Sequence, residues 1–96
     1  MAKTRRQRIR DLLFREPQTV RSVSAFLGFG LRDTERELQH VIRSVGKSAL
    51  VVEPAECEGC GFVFEDRRRL TTPSRCPRCR CERVSEPVFW FQEDAT

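Results

Sequence analysis

Ninety-six residues with 18 basic and 14 acidic side chains, a net charge of +4 and a mean hydropathy of −0.52 describe one small polar unit, or two very small ones sharing a core. A chain of this size buries roughly 60–65% of its unfolded surface and is marginal without help. It holds no apolar run long enough to span a bilayer. Its first residues, Met1-Ala-Lys-Thr-Arg-Arg-Gln-Arg, lack the apolar stretch of a secretion signal. The expected location is therefore a reducing cytoplasm, where thiols bind metals instead of pairing as disulfides.

Residues 4 to 15 read as a helix. Thr4 and Gln7 have the spacing of a capping box, and Ile9, Leu12 and Leu13 share one face. Pro17 ends the element. Residues 20 to 27 read as a second, short helix capped by Thr19, with Val20, Val23 and Leu27 on one face and Phe26 at its edge. Gly28-Phe29-Gly30 breaks it, and Phe29 is expected to plug the turn. Residues 34 to 45 read as a third helix, capped by Asp33 or Thr34, with Leu38, Val41, Ile42 and Val45 as its apolar stripe and Gly46 as its stop. A short helix, a glycine turn and a longer amphipathic helix follow the helix-turn-helix order.

Beyond Gly46 the period changes. Leu50-Val-Val-Glu53, Phe62-Val-Phe64 and Val88-Phe-Trp-Phe91 read as strands, with Pro87 at the start of the last, where a missing amide does least harm. Three helices followed by a hairpin predict an α+β fold, a winged helix. Its wing would pair 50–56 with 86–92. The predicted organisation is residues 1–56 as the winged helix-turn-helix, completed by the strand near 86–92, with 57–85 inserted between the wing strands.

That insert carries the strongest signal. Cys57-Glu-Gly-Cys60-Gly and Cys76-Pro-Arg-Cys79 each hold two residues between their cysteines, and residues 61 to 75 separate the pairs. Two such turns can close a tetrahedron of thiolates around one zinc ion. Two disulfides, or free buried thiols, are the weaker alternatives. Cys81, the fifth cysteine, is expected outside the coordination sphere as a small packing residue, a substitute ligand and a redox thiol being the other options. One structural zinc would supply folding free energy that so small a chain needs.

Residues 50 to 64, then Pro73-Ser-Arg-Cys-Pro-Arg-Cys79, then Glu86-Pro-Val-Phe89, resemble a family of small, mainly archaeal predicted transcriptional regulators. In that family a winged helix-turn-helix is fused to a rubredoxin-like zinc ribbon inserted in the wing. The resemblance runs from about Arg5 to Phe91 and is most specific over 50–91. It implies a DNA-associated regulatory role, with Cys57, Cys60, Cys76 and Cys79 as the metal ligands.

Charge points to the same partner class. Residues 67 to 83 hold seven arginines against one acid, Glu82, and the N-terminus holds Lys3, Arg5, Arg6, Arg8 and Arg10. Double-stranded DNA is the natural polyanion for such patches, solvated surface charge being the alternative. Candidate phosphate contacts are Arg5, Arg6 and Arg8 at the N-terminus and Arg67, Arg68 and Arg69 in the insert. Arg36 and Arg43 on the third helix are further candidates. Asp33, Glu35 and Glu37 crowd that helix's first turns and would be repelled by phosphates there. His40 is expected to hydrogen-bond backbone or solvent. The phenylalanines of the strands are expected in the core, and Trp90 on the opposite strand face from Phe89 and Phe91.

No Ser/His/Asp set, phosphate-cradling glycine loop or open metal position points to an enzyme. Two other functions compete with DNA binding. One is a protein-interaction module of the transcription machinery. The other is a rubredoxin-like electron carrier, since four thiolates also hold iron.

Overall fold

The structure, a computed structural model, describes residues 2–65 and 69–93. Its helices are α1 (Arg5–Arg15), α2 (Val20–Leu27) and α3 (Leu31–Val45), followed by one turn of 3-10 helix at Lys47–Ala49. Strands β1 (Leu50–Glu53) and β2 (Val88–Phe91) form an antiparallel pair, with Leu50 opposite Phe91 and Val52 opposite Phe89.

The helix starts are local chemistry. Thr4 accepts the Gln7 amide at 3.2 Å while the Gln7 side chain accepts the Thr4 amide at 2.9 Å. Thr19 and Ser22 repeat the arrangement at the head of α2, a capping box the sequence offered only as a lone threonine cap. Gly28 closes α2 in the left-handed conformation, φ 77°, which a side chain would disfavour. The third helix starts three residues earlier than its pattern suggested. Gly30, not Asp33 or Thr34, is its cap. Thr34 is fully buried, and both its amide and its hydroxyl donate to the Gly30 carbonyl, at 3.0 and 2.8 Å.

One link escapes any periodicity. Gln18, between Pro17 and Thr19, pairs with β2: its amide donates to the Phe89 carbonyl and the Phe89 amide donates back, both at 2.9 Å. The connection between α1 and α2 is thereby stitched to the far strand of the hairpin. The Gln18 side chain is also held, accepting from the Ser22 hydroxyl at 2.6 Å.

The core lies where α1, α2, α3 and β2 meet. Ile9, Leu13, Val23, Leu38 and Phe89 have no exposed surface, and burying each contributes roughly 1.5–3 kcal/mol. Phe91 joins them, tilted against Phe14 with ring centroids 5.2 Å apart. Leu70 comes to this cluster from the long segment between the strands and is 4% exposed. Phe62–Phe64 does not form the expected strand. Val63 makes one bridge, to Glu56, and the two phenylalanines meet edge to face at 5.0 Å. The Phe62 carbonyl and the Phe64 amide serve the first cysteine turn instead, bonding the Cys57 amide and the Ala55 carbonyl.

Candidate metal centre

The two cysteine turns follow the same hydrogen-bond path. In the first, the Gly61 amide donates to the Cys57 carbonyl and the Cys57 amide to the Phe62 carbonyl; in the second, Arg80 and Cys81 take those places around Cys76. Each turn ends on a left-handed residue just after its second cysteine, Gly61 at φ 79° and Arg80 at φ 63°. Glycine takes that conformation freely, whereas arginine is strained by it. The first turn is tied down by the segment that follows the second: Glu58 bonds the Arg83 carbonyl, and Ser85 bonds Glu56 through both backbone and hydroxyl.

This scaffold gathers four sulfurs. Cys57 and Cys79 Sγ lie 3.5 Å apart, Cys60 and Cys76 Sγ 3.7 Å, and all four fall within 4.8 Å of one another. Metal–sulfur bonds of about 2.3 Å in a tetrahedron require sulfurs about 3.8 Å apart, so the cage fits a zinc-sized ion. Cys57 and Cys76 are buried, Cys60 and Cys79 exposed. The Gly59 amide points at Cys57 Sγ from 3.3 Å and the Arg78 amide at Cys76 Sγ from 3.4 Å. Such donors stabilise thiolate charge.

Proton sharing in the cage has the same cause. Burial pushes the Cys57 thiol up, but the amides of Cys60 and Gly59 and the neighbouring sulfurs hold it down at about 6. At Cys79 the Cys81 amide favours the thiolate, yet the sulfur of Cys57 and burial push the group up to about 12. Four adjacent thiols cannot all ionise without a cation among them.

Cys81 lies outside the four. It occupies in the second turn the place that Phe62 takes in the first, and its sulfur accepts the Arg83 amide at 3.4 Å. It also rests against Gly59, where an added Cβ would sit 3.2 Å from both Cys81 Cβ and Sγ. The fifth cysteine therefore packs against the first turn.

Residues 54–93 match the family described as the PF0610 rubredoxin-like zinc beta-ribbon domain. The solution NMR structure of protein PF0610 from Pyrococcus furiosus is similar over nearly the whole chain. It is 31% identical, with a TM-score of 0.73, covering 94% of this chain and 90% of that one. The chain belongs to the PF0610 family. No curated protein matches it. As a zinc ribbon of the PF0610 family, it has four cysteines clustered for one metal ion, consistent with one structural zinc.

Away from the thiolate cage, this PF0610-family chain uses several of the candidate phosphate contacts internally. The Arg5 guanidinium lies 3.8 Å over the Phe29 ring, and that of Arg8 lies 5.1 Å from the Phe26 ring. Phe29 is thus half-buried under a cation and does not plug the turn alone. Arg6 Nε donates to Glu37 at 3.0 Å, and Arg69 Nε reaches Glu35 at 3.5 Å. Two of the three acids at the start of α3 are thereby offset, which lessens the repulsion their sequence position suggested; Asp33 stands exposed beside them. Arg36 and Arg43 are exposed on α3, and His40 is half-buried there. Arg67 and Arg68 lie outside the described residues. Among the described residues, no helix is long and apolar enough to cross a membrane.

Proposed function

We propose that the chain is a winged-helix protein that binds double-stranded DNA as a transcriptional regulator, with the zinc ribbon bracing its wing. The observation that carries this reading is the order of pairing. Helix α1, the Gln18 bridge, α2, a glycine turn, α3 and the β1–β2 hairpin follow one another, with Gln18 lying against β2. This order supports reading the helices as a helix-turn-helix beside a hairpin whose strands enclose the ribbon. The exposed α3 cations Arg36 and Arg43 would face the duplex, and Arg67 and Arg68 would hold phosphates, joined by Arg5, Arg6, Arg8 and Arg69 where these share their internal partners with the DNA. No enzymatic role is proposed, since the thiolate cage leaves no open coordination position.

A mobility assay on random duplex DNA across a salt series, with zinc content measured on the same sample, tests this. Binding should weaken steeply with salt, and R43A should lower the log–log slope by about one. No binding at low salt by zinc-loaded protein overturns it. A protein-interaction role is then favoured by Phe26 and Leu31, exposed at 48% and 42% beside the α2–α3 turn.

A further inference from the structure

The late turns of α3, strand β1 and the ribbon enclose a half-open groove of about 850 Å³. Its size falls in the range of small-molecule sites, roughly 300–1,000 Å³. Eight of its thirteen lining side chains are apolar, among them Ile42, Leu50, Val52 and Phe64. The polar ones are Gln39 and Glu65 with three cations, Arg43, Lys47 and Arg69. Arg69 is engaged by Glu35, but Arg43 and Lys47 have no ion-pair partner among the described residues. They stand four residues apart, on either side of Gly46, at the end of α3 and the start of the 3-10 helix.

An apolar floor beside two uncommitted cations suits neither a neutral hydrocarbon nor a bare inorganic anion. A bare phosphate would leave the floor wet, and a neutral chain would leave the cations without a partner. We propose that this groove binds an amphipathic organic anion, with a carboxylate or sulfonate head on Arg43 and Lys47 and a hydrocarbon chain or ring over Val52, Leu50 and Phe64. The site shares Arg43 with the DNA reading but does not rest on it, and its test contains no nucleic acid.

Zinc-loaded full-length chain is titrated with anilinonaphthalene sulfonate, a fluorescent amphipathic anion, and the bound probe is then displaced. Saturable one-to-one binding is expected. Decanoate should displace the probe, whereas butyrate, without most of the tail, and decanol, without the charge, should each need at least about tenfold more. The R43A/K47A double variant and V52E, which sets a carboxylate on the floor at a side chain already 39% exposed, should each weaken binding about tenfold with zinc content unchanged. Absence of saturable binding overturns the proposal. So does displacement by decanol as readily as by decanoate, a comparison that needs no variant, or full affinity in both variants.

Discussion

In the helical half, three helices and one strand press aliphatic and aromatic side chains together until Ile9, Leu13, Val23, Leu38 and Phe89 lose all contact with water. Between residues 54 and 85 the buried side chains among the described residues are Ala55, Cys57, Leu70, Pro73 and Cys76. Two of these are sulfur ligands, and Leu70 belongs to the other half's core. The first region is held by area removed from water. The second has little such area and relies on backbone hydrogen bonds around a thiolate cage. A short chain can thus combine two sources of order, but they differ in what destroys them.

The contrast breaks most sharply at the cage. Removing the metal with a chelator, or Cys76→Ser, should loosen residues 54–85 and raise the exposure of Trp90, while helical circular dichroism persists. Amide exchange and tryptophan fluorescence measure both halves on one sample. Cys81→Ser should keep the metal; if it lost zinc while Cys79→Ser retained it, the assignment of ligands would be wrong. Wherever the metal-free cage persists, two thiol shifts oppose one another. Cys57, held at about 6, favours the folded cage above the ordinary thiol value near 8.5 and loses that contribution as the pH falls through 6. Cys79, pushed up to about 12, favours it below about 8.5 and loses that contribution as the pH rises through 12.

Leu70 tests whether the halves are separable. Leu70→Ala should cost about 2–5 kcal/mol, because a side chain buried in the shared core leaves a cavity. Both halves should lose stability together in urea titration. A loss confined to the ribbon would mean that the residue anchors nothing.

Smaller effects sharpen the comparison within the ribbon. Gly61→Ala forces a side chain into a left-handed position and should cost about 1–2 kcal/mol. Arg80→Gly relieves the same strain in the second turn, against a chain-entropy cost of about 0.5–1 kcal/mol, so stability should stay level or rise slightly. If both variants were equally destabilised, the two turns would not be equivalent. Least of all, the double-mutant cycle of Arg6 and Glu37 should show a coupling of about 0.2–1 kcal/mol that falls with salt.

What could be read from the chain alone had short range or fixed spacing. Thr4 with Gln7, the Thr19 cap, Gly28, the stripe along α3 and the two cysteine pairs all declare themselves within a few residues. Their partners are near neighbours, or are dictated by the geometry of one ion. The rest depended on contacts that leave no periodic trace. Gln18 makes a one-residue ladder, too short to alternate. Leu70 is a lone aliphatic in an arginine-rich stretch, so nothing marked it as an anchor. Arg6 and Glu37 stand 31 residues apart, and their charges read as an exposed cluster and a repulsive helix start until the fold set them together. Phe62-Val-Phe64 read as a strand by residue type, but its backbone groups are engaged by the cysteine turn. Thr34 looked like a cap because of its residue type, yet its hydroxyl bonds backwards to Gly30.

The contact between Gly59 and Cys81 links the two turns. A methyl group at 59 meets the Cys81 side chain at 3.2 Å, closer than ordinary packing allows, and lies 3.6 Å from the Cys57 sulfur. The side chains of 59 and 81 thus compete for one small space: Gly59→Ala asks Cys81 to give way by a few tenths of an ångström, a strain that Cys81→Gly would lift.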